Sequence, residues 1–85
     1  MDKETIKRII NNSTWNSPEK KNIYRFANGN ILSINDENHS NYSINSYNNK
    51  IKLKLGPEKI YYIEYVNDFM LKLSDSKESF RIIPE

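Results

Sequence analysis

One stretch, Lys50 to Leu73, constrains the fold of this chain more than any other. It reads Lys50-Ile-Lys-Leu-Lys-Leu55, a Gly-Pro-Glu-Lys break, Ile60-Tyr-Tyr-Ile-Glu-Tyr-Val66, an Asn67-Asp68 break, then Phe69-Met-Leu-Lys-Leu73. Runs of β-branched and aromatic residues bounded by turn formers read as strands joined by tight connections. Connections this short allow only antiparallel pairing, because a parallel pair needs a crossover of about a dozen residues or more.

The same pattern extends in both directions. Strands are predicted near 21–27, 30–35, 41–46, 50–55, 59–66, 69–74 and 79–83. The predicted connections are Asn28-Gly29, the polar Asp36–Ser40 segment, Asn48-Asn49, Gly56–Glu58, Asn67-Asp68 and Ser74–Glu78. Asn-Gly is the strongest short hairpin signal, since a type I′ turn needs positive φ at both central residues. Asn-Asn and Asn-Asp adopt that region at a higher cost.

Turn chemistry also predicts register. A two-residue turn at Asn48-Asn49 pairs Ser46 with Ile51, Ile44 with Leu53 and Tyr42 with Leu55. A two-residue turn at Asn67-Asp68 pairs Val66 with Phe69, Glu64 with Leu71 and Tyr62 with Leu73. With Leu55 opposite Ile60, these turns define one inward face: Tyr42, Ile44, Ile51, Leu53, Leu55, Ile60, Tyr62, Val66, Phe69, Leu71, Leu73, Phe80 and Ile82. The opposite face then carries Lys52, Lys54, Tyr61, Ile63, Tyr65, Met70 and Lys72. In the first hairpin, Tyr24, Phe26 and Ile31 share one face, and Ile23, Leu32 and Ile34 the other.

Residues 1–13 read as a helix, with Asp2 as N-cap and Glu4 in the first turn. Ile6, Ile9 and Ile10 form a narrow apolar stripe, too little to hold an isolated helix in water, so the stripe must dock. Residues 14–20 read as a polar linker whose Trp15 plugs the core or stacks on a ligand. The expected whole is a single all-β domain with one N-terminal α-helix, an antiparallel up-and-down meander of about seven strands forming a curved sheet or small barrel. At 85 residues the chain is too short to split in two.

With no cysteine, the chain can hold no disulfide and offers no thiolate for zinc. The single histidine, His39, cannot build a multi-histidine metal site. No apolar run suits a signal peptide or a membrane span, so no membrane partner is expected. Richness in Asn, Ile, Lys and Tyr is in keeping with A/T-biased coding, from which a cytoplasmic bacterial or phage protein is expected.

The chain resembles a small lipocalin-like domain. Trp15 precedes Tyr24-Arg-Phe26-Ala-Asn-Gly29, similar to the family's aromatic strand closing on a polar-Gly turn. Asn41-Tyr42-Ser-Ile44, Ile51-Lys-Leu53, Tyr62-Ile63-Glu64, Phe69–Leu73 and a last strand with Phe80 and Ile82 follow in order. The resemblance covers residues 13–84 and implies an up-and-down meander that binds rather than catalyses. A chain this short would close only a narrow barrel filled by side chains, and an open sheet pairing with a second copy also fits.

No catalytic residue and no cofactor is predicted. Asp36, Glu37, Asp68, Asp75 and Glu78 fall in turns, where acidic residues serve turn chemistry. Neither a His-based dyad nor a Gly-rich phosphate loop occurs. Glu64 is the one residue that interrupts the inward face. On that register it is either a carboxylate reaching water at the barrel mouth or, with Trp15, Tyr42 and Tyr62, a polar anchor for a small apolar ligand. On the outward face, apolar and aromatic side chains among lysines call for cover. The candidates are the N-terminal helix, a second copy in a homodimer or another protein partner, or single-stranded nucleic acid stacked on the rings. A non-enzymatic, self-associating binding module is the first reading, and a single-strand nucleic-acid binder the alternative.

Overall fold

The computed structural model describes residues 3–85, side chains included except at Asn38. The proposed cap Asp2 lies outside the described residues. A short helix, α1 (Lys3–Ile10), leads into eight strands: β1 (Ser13–Ser17), β2 (Asn22–Ala27), β3 (Ile31–Ile34), β4 (Glu37–Tyr47), β5 (Lys50–Leu55), β6 (Lys59–Asn67), β7 (Met70–Ser74) and β8 (Ser79–Pro84). Each strand pairs antiparallel with the next, and β1 pairs with β8, so the up-and-down meander closes into a small barrel.

The closing strand is the segment that sequence alone presents as a linker. Residues 14–20 contain most of β1, which pairs with β2 from Ser13↔Phe26 to Ser17↔Asn22 and with β8 at Trp15↔Pro84 and Asn16↔Ile83. Its polar composition hides it, because alternate side chains are small. Trp15 and Ser17 point in and are buried, and the strand needs little else inside. Trp15 is therefore a core residue. Its indole N–H donates to Ser13 Oγ at 2.7 Å, and Ser13 Oγ donates to the Ile10 carbonyl, tying the helix end to the barrel. Ile6 and Ile10 are buried with the core, and Ile9 packs against it, so the stripe docks at one end of the barrel.

Asparagine makes the tight turns. The chain has only two glycines, and both sit at positive φ, Gly29 at 80° and Gly56 at 63°. Most other positive-φ positions are Asn or Asp, whose short polar side chains tolerate that conformation. Asn48-Asn49 (φ 49° and 63°) and Asn35-Asp36 (56° and 61°) each supply both central residues of a two-residue hairpin. The second of these shortens the predicted Asp36–Ser40 loop, and β4 begins at Glu37.

Three hairpins depart from the predicted register, the β2–β3 hairpin and the two that flank β6. In the first, Gly29 and Asn30 both take positive φ and the connection is one residue longer than a two-residue turn, so Ala27 pairs with Ile31 and Phe26 with Leu32. Tyr24, Phe26, Leu32 and Ile34 therefore face the core together, and Ile23 and Ile31 reach the surface. In the β6–β7 hairpin, the register shifts between Tyr65 and Asn67, giving Tyr65↔Leu71 and Ile63↔Leu73. The preceding loop is also shorter than predicted and pairs Leu55 with Lys59 and Leu53 with Tyr61. All of β6 is turned over as a result. Tyr61 and Ile63 are buried and Tyr65 packs against the core, while Ile60, Val66 and Phe69, predicted inside, are exposed. The β4–β5 ladder pairs Tyr42↔Leu55, Ile44↔Leu53 and Ser46↔Ile51, as Asn48-Asn49 requires.

Side chains fill the interior. Phe80 stacks on Tyr24 (6.1 Å between centroids) and meets Tyr61 edge-on (5.4 Å), and Phe26 meets Tyr42 edge-on (5.2 Å). Over the aromatic cluster at the end away from the helix, Lys20 reaches Glu78 (2.5 Å) and Lys59 reaches Asp75 (3.2 Å).

Candidate functional site

Turning β6 over changes what the outer wall presents. Strict alternation in β5 sends Lys50, Lys52 and Lys54 outward, because Ile51 and Leu53 are held in the core. Cross-strand pairing then builds rows over the surface. One row runs Asn45, Lys52, Tyr62, Ser74, Ser79 across β4 to β8. A second runs Glu64, Lys72, Arg81. Tyr47 pairs with Lys50 at the hairpin end. Lysine and tyrosine interleave directly: Lys50 Nζ lies 5.3 Å from the Tyr62 ring and Lys52 Nζ 5.1 Å from the Tyr47 ring.

A hollow of about 840 Å³ lies here, lined by Lys50, Tyr62, Glu64, Ser74, Asp75 and Ser76, and reaching Ile6, Ile51, Ile63 and Tyr65. Its polar wall is mixed in character, but its acids are unequal. The Asp75 carboxylate accepts the backbone N–H of Lys77 (2.8 Å) and Glu78 (2.9 Å) and an ion pair from Lys59, which together hold it below the usual carboxylate range. Glu19, against Arg81, is likewise lowered, by a hydrogen bond from the guanidinium. Glu64 is exposed and lies across from Lys72.

Six acids, Glu19, Asp36, Glu58, Asp68, Asp75 and Glu78, lie in connections between strands, as do Lys20, Lys21 and Lys77, whereas Lys50, Lys52, Lys54, Lys72 and Arg81 share the outer wall with Glu64. A net charge of only +2 hides that arrangement.

The residues singled out from sequence divide accordingly. Lys52, Lys54 and Lys72 lie on the outer wall as predicted, with Met70 half-buried beside them. Tyr61, Ile63 and Tyr65 do not, because the shifted register takes them inside, and with them goes the apolar part of the predicted interaction surface. Of the proposed ligand anchors, Tyr62 and Glu64 line the same hollow, with Glu64 exposed and Tyr62 half-buried. Tyr42 is a core residue in edge contact with Phe26, and burial raises its hydroxyl pKa. Trp15 is sealed in the core. Lys50, Tyr47 and Arg81 were missed. Lys50 was legible from the alternation it shares with Lys52 and Lys54, and Tyr47 from its place opposite Lys50. Arg81 was legible from its position between the inward Phe80 and Ile82.

Among the described residues no group of three or more His, Asp or Glu side chains is placed to hold a metal ion, and no helix is long and apolar enough to cross a membrane. Comparison with protein-family models, curated proteins and solved structures finds no match.

Proposed function

We propose that this chain is a non-enzymatic binding module whose working surface is the outer wall of β4–β8, and that its ligand is an extended polyanion, single-stranded nucleic acid. The observation that carries this reading is the pairing of Lys50 with the Tyr62 ring and of Lys52 with the Tyr47 ring on a face that also carries Lys54 and Lys72. Cations neutralise phosphates and aromatic rings stack bases without regard to sequence. The lipocalin-like resemblance contributes an expectation of architecture, an antiparallel up-and-down meander. A filled interior favours moving the binding surface from the lumen to the wall. The setting we propose is a bacterial or phage-infected cytoplasm.

Anisotropy titration of a labelled single-stranded oligonucleotide at several salt concentrations tests the reading. Affinity should fall with salt with a logarithmic slope of about −0.7 per phosphate contacted, and Lys52→Gln with Lys72→Gln should flatten that slope by about 1.4. Tyr62→Ser should weaken binding by about 1–3 kcal/mol while leaving the fold intact. Absence of saturable binding at low salt, or a slope unmoved by the lysine changes, would overturn the proposal.

A protein contact is the second reading. Phe69 is 74% exposed and Val66 49% exposed, beside each other at the β6–β7 tip. Light scattering that gives the mass of two chains, reverting to one with Phe69→Ser, would favour self-association through that tip over the nucleic-acid reading.

A further inference from the structure

A second recess lies between the helix and the barrel. About 420 Å³ in volume, it is lined by Lys7 and Arg8 of α1, Asn11 after it, Asn30 of the β2–β3 turn, and Ser43 and Asn45 of β4, with Tyr42 and Ile44 of the same strand. This size falls within the range of small-ligand sites. Glu4 also lines it, so two cations stand against one carboxylate. Both cations are exposed, and among the described residues neither has an ion-pair partner.

The walls are tied to the barrel. Ile6 and Ile10 anchor the helix in the core, and Ser13 ties its end to β1. The Asn30 carbonyl accepts the Tyr42 N–H at 2.8 Å, which fixes the turn against β4. Basic residues in a last helical turn suit the helix dipole, and that accounts for the sign of the charge at Lys7 and Arg8. It does not extend to Asn45, which lies near the C-terminal end of β4 and lines the same recess. Three amides, a hydroxyl, an ammonium and a guanidinium line the recess from α1, the residue after it, the β2–β3 turn and β4. That donor set suits a tetrahedral oxyanion with several acceptor oxygens, with the guanidinium fork able to take two of them.

The recess adjoins the outer wall, since Ser43 pairs with Lys54 and Asn45 with Lys52. We infer that the recess between α1 and β4 is a phosphomonoester subsite that holds the terminal phosphate of a strand lying over the lysine rows. The source of the phosphate rests on the nucleic-acid reading above; the subsite itself does not.

Matched oligonucleotides ending in 5′-phosphate, 3′-phosphate or hydroxyl, together with a free nucleoside monophosphate, separate the two. The intact chain should bind one phosphorylated end roughly tenfold or more tightly than the hydroxyl end. Lys7→Gln with Arg8→Gln should abolish that preference while leaving hydroxyl-end affinity unchanged, with Trp15 fluorescence reporting an intact core. Side-chain amide resonances of Asn11, Asn30 and Asn45 should move with the phosphorylated end and not with the hydroxyl end. Equal affinity for all ends, with these amides unmoved by the monophosphate, overturns the subsite and leaves the outer-wall reading standing. Movement of the amides by the monophosphate with no oligonucleotide binding keeps the subsite, makes its ligand a free phosphoester, and removes the outer-wall reading. If neither probe binds, both fall.

Discussion

β5 and β6 lie side by side, yet their sequences carry different amounts of information. β5 alternates Lys and aliphatic residues without exception, so only one of its two faces can be buried. β6 is apolar at almost every position, and Ile60, Tyr62 and Val66 make as plausible an inner face as Tyr61, Ile63 and Tyr65. Hydrophobicity leaves that choice open. Glu64 decides it, because its parity places either a lone carboxylate in the core or a half-buried Tyr62 outside, and burying an unpaired charge costs far more than exposing part of a ring. The irregularity between Tyr65 and Asn67 is the means by which the chain takes the cheaper option, shifting β6 against β7. A strand's polar exception thus tells more about its register than its apolar majority does.

The largest effect expected from breaking this comparison is on the buried side of β6. Ile63→Ala should cost about 2–5 kcal/mol, and Leu53→Ala on β5 a similar amount, in chemical denaturation followed by Trp15 fluorescence. Tyr62→Ala, one position along, should cost less than about 1 kcal/mol. If those two β6 variants exchanged rank, the strand would face the other way. Next come the turns that set parity. Gly29→Val and Gly56→Val each force a β-branched residue to positive φ and should destabilise by about 1–3 kcal/mol in a thermal melt. At Gly29 no atom beyond its chain neighbours lies within 4 Å of an added Cβ, so the cost expected there is backbone strain, and an unchanged melt would mean a different turn.

A smaller effect is set by pH. The Asp75 and Glu19 carboxyls are lowered in the fold, so the stability they contribute is complete above the unfolded-chain value of about pH 4 and is lost as pH falls through their lower folded values. Melting temperature should therefore drop on the acid side, and Asp75→Asn should show a shallower drop. Parallel acid limbs for parent and variant would show that the Asp75 contacts do not persist in solution. Smallest of all, Phe69→Ser should change stability by less than about 0.5 kcal/mol, since that ring is exposed at a hairpin tip. A large loss would put Phe69 in the core, where a two-residue Asn67-Asp68 turn would send it.

By itself the sequence determined the all-β class, the antiparallel order, the docked helix and the β4–β5 register, because period-2 alternation and Asn-rich turns are local signals. It also determined that Lys52, Lys54 and Lys72 share a wall. Tertiary structure decided three things. Polar β1 becomes a strand only because β2 and β8 both present backbone edges to it, and a pairing partner is not a property of its own residues. The facing of Tyr61, Ile63 and Tyr65 depended on one shifted register and one shorter loop, whose effects on parity propagate along the whole of β6. The recess of Lys7, Arg8, Asn30 and Asn45 joins residues far apart in the chain, so no spacing rule could have assembled it. For β1 and the recess the deciding interaction was non-local; for β6 the parity of Glu64 was the local signal, and the shifted pairing is what realised it.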